Sequence, residues 1–157
     1  MTDPDNRRGG APVGYLSELG AVEAGAVIYL RLWNDGPDAR ARVTGDFTCS
    51  FGPEDGSSAL SALDQICDLC ARHGRRPIMR HDVACRCLGG DEACFANFVA
   101  AAAQGDREDA MLIATLLVRP DFAPSLASLA ETFGLALKRM SLAMPVDMER
   151  TRPATIH

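Results

Sequence analysis

The chain has 157 residues, a formal net charge of -5 and a mean hydropathy near zero. That is one domain's worth of sequence, long enough to bury a core without disulfides or metals. Hydrophobic residues make up 47% and charged residues 24%, which excludes a fibrous or wholly disordered chain. The longest apolar run, Ala110 to Val118, falls well short of the ~20 residues a membrane helix needs. The first residues, MTDPDNRRGG, carry no apolar signal core. The acidic balance argues against a nucleic-acid partner. These features give the expectation of a soluble cytoplasmic protein with no membrane partner; they leave a homo-oligomer open. Among the basic residues Lys138 is the sole lysine, and Ala is abundant. That bias matches a GC-rich bacterial genome.

Residues 1–14 hold Pro4, Pro12 and three glycines without periodicity, and read as a disordered arm. A single helical domain is expected over 15–144, followed by a flexible tail over 145–157. Leu16, Leu19, Val22, Ala26, Val27, Leu30 and Trp33 recur at helical steps. A rival reading makes 26–45 a short β-hairpin turning at Asn34-Asp35-Gly36. Pro37 suits the first turn of a new helix, and Val43, Phe47 and Phe51 follow at steps of four.

Ser57 or Ser58 is expected to open a helix carrying Leu60, Leu63, Ile66, Cys67 and Cys70, closed by Gly74. Arg75 to Gly90 looks irregular. Asp91 then caps a helix with Phe95, Phe98 and Val99 inward, and Asp106 caps the next. That next helix, apolar nearly all round up to Val118, is expected to be the central buried one. Pro124 starts another, Gly134 interrupts it, and Leu135 to Met144 form a last short helix. The predicted fold is an all-α compact bundle of about six or seven helices.

Five of the six cysteines and two of the three histidines crowd between Cys67 and Cys94. The string runs Cys67-x2-Cys70-x2-His73, then His81-x3-Cys85-x-Cys87-x6-Cys94. In a reducing cytoplasm such thiols are buried small hydrophobes, metal ligands or redox groups. Zinc takes four tetrahedral Cys or His ligands, often as pairs from two segments. The ligand set expected here is His81, Cys85, Cys87 and Cys94, with Cys67, Cys70 and His73 as additional ligands or a redox pair. On that reading the metal orders the loop that carries them. Core filling is the competing reading for Cys67, Cys70 and Cys94, which share apolar stripes. Arg75, Arg76, Arg80 and Arg86 make the same stretch basic, a candidate anion site or an influence on thiol acidity.

The run Cys67-Asp68-Leu69-Cys70-Ala71-Arg72-His73 resembles the redox motif of the alkyl-hydroperoxidase D family. That resemblance implies a small all-α protein using a CxxC dithiol with His as proton relay. The family places three residues between the second Cys and the His; here there are two. The pair also sits near a helix C-terminus, where the dipole disfavours a thiolate. Leu126 to Pro145 is similar to a helix-turn-helix motif, with Ala130 and Gly134 as small and turn residues, which implies DNA binding through Lys138 and Arg139. No P-loop, GxGxxG, HExxH or GxSxG occurs, so no catalytic residue is assigned. Three functions follow as expectations. The first is an interaction module with a structural or regulatory zinc site. The second is a thiol redox protein using CxxC or CxC cysteines. The third is a metal- or redox-sensing transcriptional regulator.

Overall fold

The structure, a computed structural model, describes residues 9–143. The proposed tail over 145–157 lies outside the described residues, as do residues 1–8 of the proposed arm. The described part is mostly helical. Its elements are β1 (Pro12–Tyr15), α1 (Ala21–Trp33), α2 (Pro37–His73), β2 (Cys87–Gly89), α3 (Gly90–Ala103), α4 (Arg107–Leu117) and α5 (Ala123–Ala143), with 3-10 turns at Leu16–Glu18 and Pro120–Phe122.

The helix count among the described residues is five, below the six or seven expected. Two mergers account for the difference. Gly52 stands at φ +82° inside α2, a left-handed conformation that glycine adopts at no steric cost. It bends the chain, and the helix resumes at Pro53 rather than at Ser57 or Ser58. At Gly134, by contrast, α5 runs straight through. A Cβ there would stand 2.9 Å from the Val99 carbonyl oxygen and 2.9 Å from Ala103 Cβ. Gly134 therefore marks where α5 presses against α3, and Leu126 to Ala143 lack the turn that a helix-turn-helix requires.

The close approach gives a testable sign. Alanine gains about 1 kcal/mol of helix propensity over glycine, while overpacking costs typically 1–3 kcal/mol. The neighbours here include backbone, which cannot swing aside. Gly134→Ala is therefore expected to destabilise the protein by up to about 2 kcal/mol in denaturant unfolding, against the propensity scale.

Strand pairing occurs, but not within 26–45, which is helix apart from the Asn34–Gly36 turn. Instead β1 and β2 pair antiparallel, Tyr15 opposite Cys87 and Gly14 opposite Leu88. The helical steps from Ala26 to Phe51 have the physical content expected of them: Ala26, Val27, Leu30, Val43 and Phe47 are buried. The core joins Phe47, Leu63, Ile66, Phe95, Phe98 and Phe133, with the Phe47 and Phe133 rings stacked at 6.3 Å.

The most buried helix is α3, which packs on α1, α4 and α5, while α5 packs on all four other helices. The expectation that Ala110 to Val118 would be central is corrected: Leu112 and Leu116 on α4 are 65% and 67% exposed. The α3 sequence is rich in alanine, which buries on several faces and lets neighbouring helices approach. Asp106 caps α4 as expected, its Oδ1 accepting from the Asp109 amide at 3.3 Å. The cap of α3 is Gly89 rather than Asp91.

Candidate functional site: a thiol and histidine loop clamped by a buried arginine

The chain between α2 and α3, Gly74 to Arg86, has little regular structure. Two charged anchors hold it. Asp91, in the first turn of α3, pairs with Arg76 and accepts from the Met79 amide at 2.8 Å. The stronger anchor is Arg31 of α1, which is 2% exposed.

Its guanidinium satisfies all five N–H donors. Nε gives to Glu92 Oε2 at 2.6 Å and Nη2 to Glu92 Oε1 at 2.8 Å. Nη2 also gives to the Cys87 carbonyl at 2.7 Å. Nη1 gives to the carbonyls of Cys85 at 2.7 Å and Asp82 at 3.2 Å. Glu92 is 0% exposed and its Oε1 also accepts from the Gly89 amide at 3.0 Å. It sits in the first turn of α3, where the helix dipole favours a negative charge. A buried ion pair survives only when such hydrogen bonds offset the loss of hydration. The bonds to Glu92 raise the Arg31 pKa, against the opposing effect of burial.

This clamp fixes the backbone that carries the sulfur groups. Cys85 ends a turn, its amide giving to the Asp82 carbonyl at 2.9 Å. Cys87 begins β2, held against β1. The Leu16 amide reaches the Arg86 carbonyl at 2.9 Å. His81 Nε2 lies 2.8 Å from the Gly10 carbonyl. A carbonyl oxygen only accepts, so Nε2 carries the proton and Nδ1 is the free acceptor. That acceptor faces Cys85 Sγ at 3.7 Å. Cys87 hydrogen-bonds to Cys85 in turn, and its thiol pKa is pushed up by desolvation and by Cys85.

Of the sequence-predicted ligands, His81, Cys85 and Cys87 are thus brought together. Cys94 stands apart on α3, where it lines a cleft of about 340 Å³ with Gly9, Arg76, Asp91 and Leu116. Burial and Asp91 raise its pKa. His73 is engaged elsewhere, stacked on Phe122 at 3.8 Å and accepting from Arg119 Nη2 at 2.8 Å. Among the described residues no group of three or more His, Cys, Asp and Glu converges as a metal centre. Arg31 and Asp91 hold the loop through their hydrogen bonds to its backbone.

The CxxC pair behaves as core. Burial pushes Cys67 up to about 11 and Cys70 up to about 12, so both thiols stay protonated at neutral pH, the reverse of an activated dithiol. At pH 8 both are expected to resist iodoacetamide while the exposed Cys49 is modified, as read by peptide mass mapping. Linkage gives the pH sign. In the unfolded chain these thiols ionise near ~8.5, so above that pH the folded state holds more protons. Their contribution to stability is complete below about pH 8.5 and is lost as pH rises toward 11–12.

The basic residues divide as well. Arg75 Nε donates to the Thr115 carbonyl and Arg76 pairs with Asp91. Arg80 and Arg86 are exposed. The residues that sequence reasoning missed are Arg31 and Glu92. Their signal was a charge on an apolar stripe: Arg31 follows Val27 by four, and Glu92 precedes Phe95 and Ala96 by three and four. No helix among the described residues is long and apolar enough to cross a membrane. Comparisons with protein-family models, with curated proteins and with solved structures each gave no match.

Proposed function

We propose that the protein is a thiol–disulfide exchange protein whose reactive group is the Cys85–Cys87 pair, with His81 as its base. The observation that carries this reading is the 3.7 Å approach of Cys85 Sγ to His81 Nδ1, on a ring oriented by the Gly10 carbonyl. A nucleophile, a base and a group that orients the base make the usual activated arrangement.

The proposed chemistry balances as follows. Cys85 gives its proton to His81 Nδ1, and the thiolate attacks one sulfur of a disulfide RSSR. The RS–SR bond breaks as the Cys85–SR bond forms; RS⁻ leaves and takes the proton from the imidazolium. Cys87 then loses its proton and attacks Cys85 Sγ, and the second RS⁻ departs and is protonated. The pair is oxidised by two electrons, and RSSR becomes two RSH. Cys87 suits the resolving role because its thiol hydrogen-bonds to that of Cys85. In a reducing cytoplasm, the compartment we propose, the thiol pool returns the pair to the dithiol.

Zinc on His81, Cys85 and Cys87 is the second reading, drawn from the same three donors. The redox reading is preferred because those donors do not form a converged metal group. Metal analysis of untagged protein separates the two. One equivalent of zinc lost on Cys85→Ser would replace the redox proposal. Metal-free protein that consumes one equivalent of disulfide supports it.

A further inference from the structure

Resting on that reading of the Cys85–Cys87 pair, we infer that its substrate is an anionic disulfide, one bearing carboxylates, received by Arg86 and Arg80. The overall charge is -5, so a local excess of cation is unusual for this chain. The structure removes most of the candidates for it. Arg72 pairs with Asp68, Arg76 with Asp91, and Arg31 with Glu92. Arg75 makes no ion pair among the described residues but is tied to α4 by the Thr115 carbonyl.

What remains, Arg80 and Arg86, is exposed and lies in the same short segment as His81, Cys85 and Cys87. Arg86 is exposed, lies between the two cysteines in the chain, and makes no ion pair among the described residues. Arg80, exposed next to His81, lines a polar hollow of about 310 Å³ with Arg31, Asn34, Asp35, His81 and Asp82. The two carboxylates in that hollow temper Arg80, so Arg86 is the principal cation. A guanidinium with no internal carboxylate matches a carboxylate of an incoming substrate in two parallel hydrogen bonds.

The consequence is a charge preference. One unit charge pair at contact distance in water is worth about a fivefold change in rate or affinity. Three small disulfides of graded charge serve as probes: oxidised glutathione (anionic), hydroxyethyl disulfide (neutral) and cystamine (cationic). Each rate of thiol release with the full chain at pH 7 and low salt is divided by that of the same reagent with 2-mercaptoethanol. The normalised rate is expected to fall from anionic to neutral to cationic, by roughly fivefold per step. The preference should shrink with added salt. Arg80→Glu combined with Arg86→Glu should reverse the order. Equal normalised rates with attack at Cys85 would overturn the anionic substrate and leave the exchange chemistry standing. No attack at Cys85 by any of the three would overturn both.

Discussion

Replacing Glu92 by Gln is expected to cost about 3–5 kcal/mol of stability, the penalty for stranding one buried charge of a pair. For a chain of this length that is a fall in Tm of roughly 10 °C, and a large share of the ~5–15 kcal/mol that holds a domain together. The change is nearly isosteric, so little of the loss can be assigned to a cavity. Arg31→Met should cost a similar amount, with a second contribution from three carbonyls, those of Asp82, Cys85 and Cys87, that lose their donor. The double variant Arg31→Met, Glu92→Met separates the two effects. It removes both charges, so it should recover part of the loss but leave the loop 75–89 more open to proteolysis than in the parent. Equilibrium urea unfolding and timed protease digestion read these outcomes. A Glu92→Gln protein within about 1 kcal/mol of the parent would show that Arg31 is not desolvated as described.

The second large effect concerns reactivity rather than stability. His81→Ala is expected to slow the reaction of Cys85 with hydroxyethyl disulfide at pH 7 by about 10²-fold, the lower range for loss of a positioned base. The fold should hold, because His81 is half-buried and its partners are the Gly10 carbonyl and the Cys85 thiol. A merely structural role for His81 would change stability without changing the pH profile of the rate. A role as base requires that the rate of His81→Ala rise with pH up to the thiol's own ionisation, where it should approach the parent. In Cys87→Ser, reaction should stop at a stable mixed disulfide on Cys85, seen as one added reagent half in the intact mass.

The helices were legible in the sequence where an apolar step of three or four could be counted, as in Ala26 to Phe47 and Leu60 to Ile66. They were misjudged where glycine had two meanings. Gly134 reads as a breaker in one dimension, but only the approach of Val99 and Ala103 shows it to be a packing point. The exposed Leu112 and Leu116 misled in the same way, because an apolar surround does not say which helix the others will cover.

The strand pair escaped notice since each strand is four residues or fewer and they lie over seventy residues apart. At the site, the crowding of Cys and His was visible, and so was the special standing of His81, Cys85 and Cys87 outside any apolar stripe. What ordered them was not. Arg31 and Glu92 are 61 positions apart, and each reads locally as a solvated charge until the fold places both in the core.

The most direct test is to treat the Cys49→Ser protein with one equivalent of hydroxyethyl disulfide at pH 7, trap remaining thiols, and map the linkages by mass. A bond between Cys85 and Cys87, two thiols released per chain, and free Cys67, Cys70 and Cys94 is the expected result. A Cys67–Cys70 bond, or Cys85 and Cys87 recovered as free thiols after prolonged treatment, would contradict it.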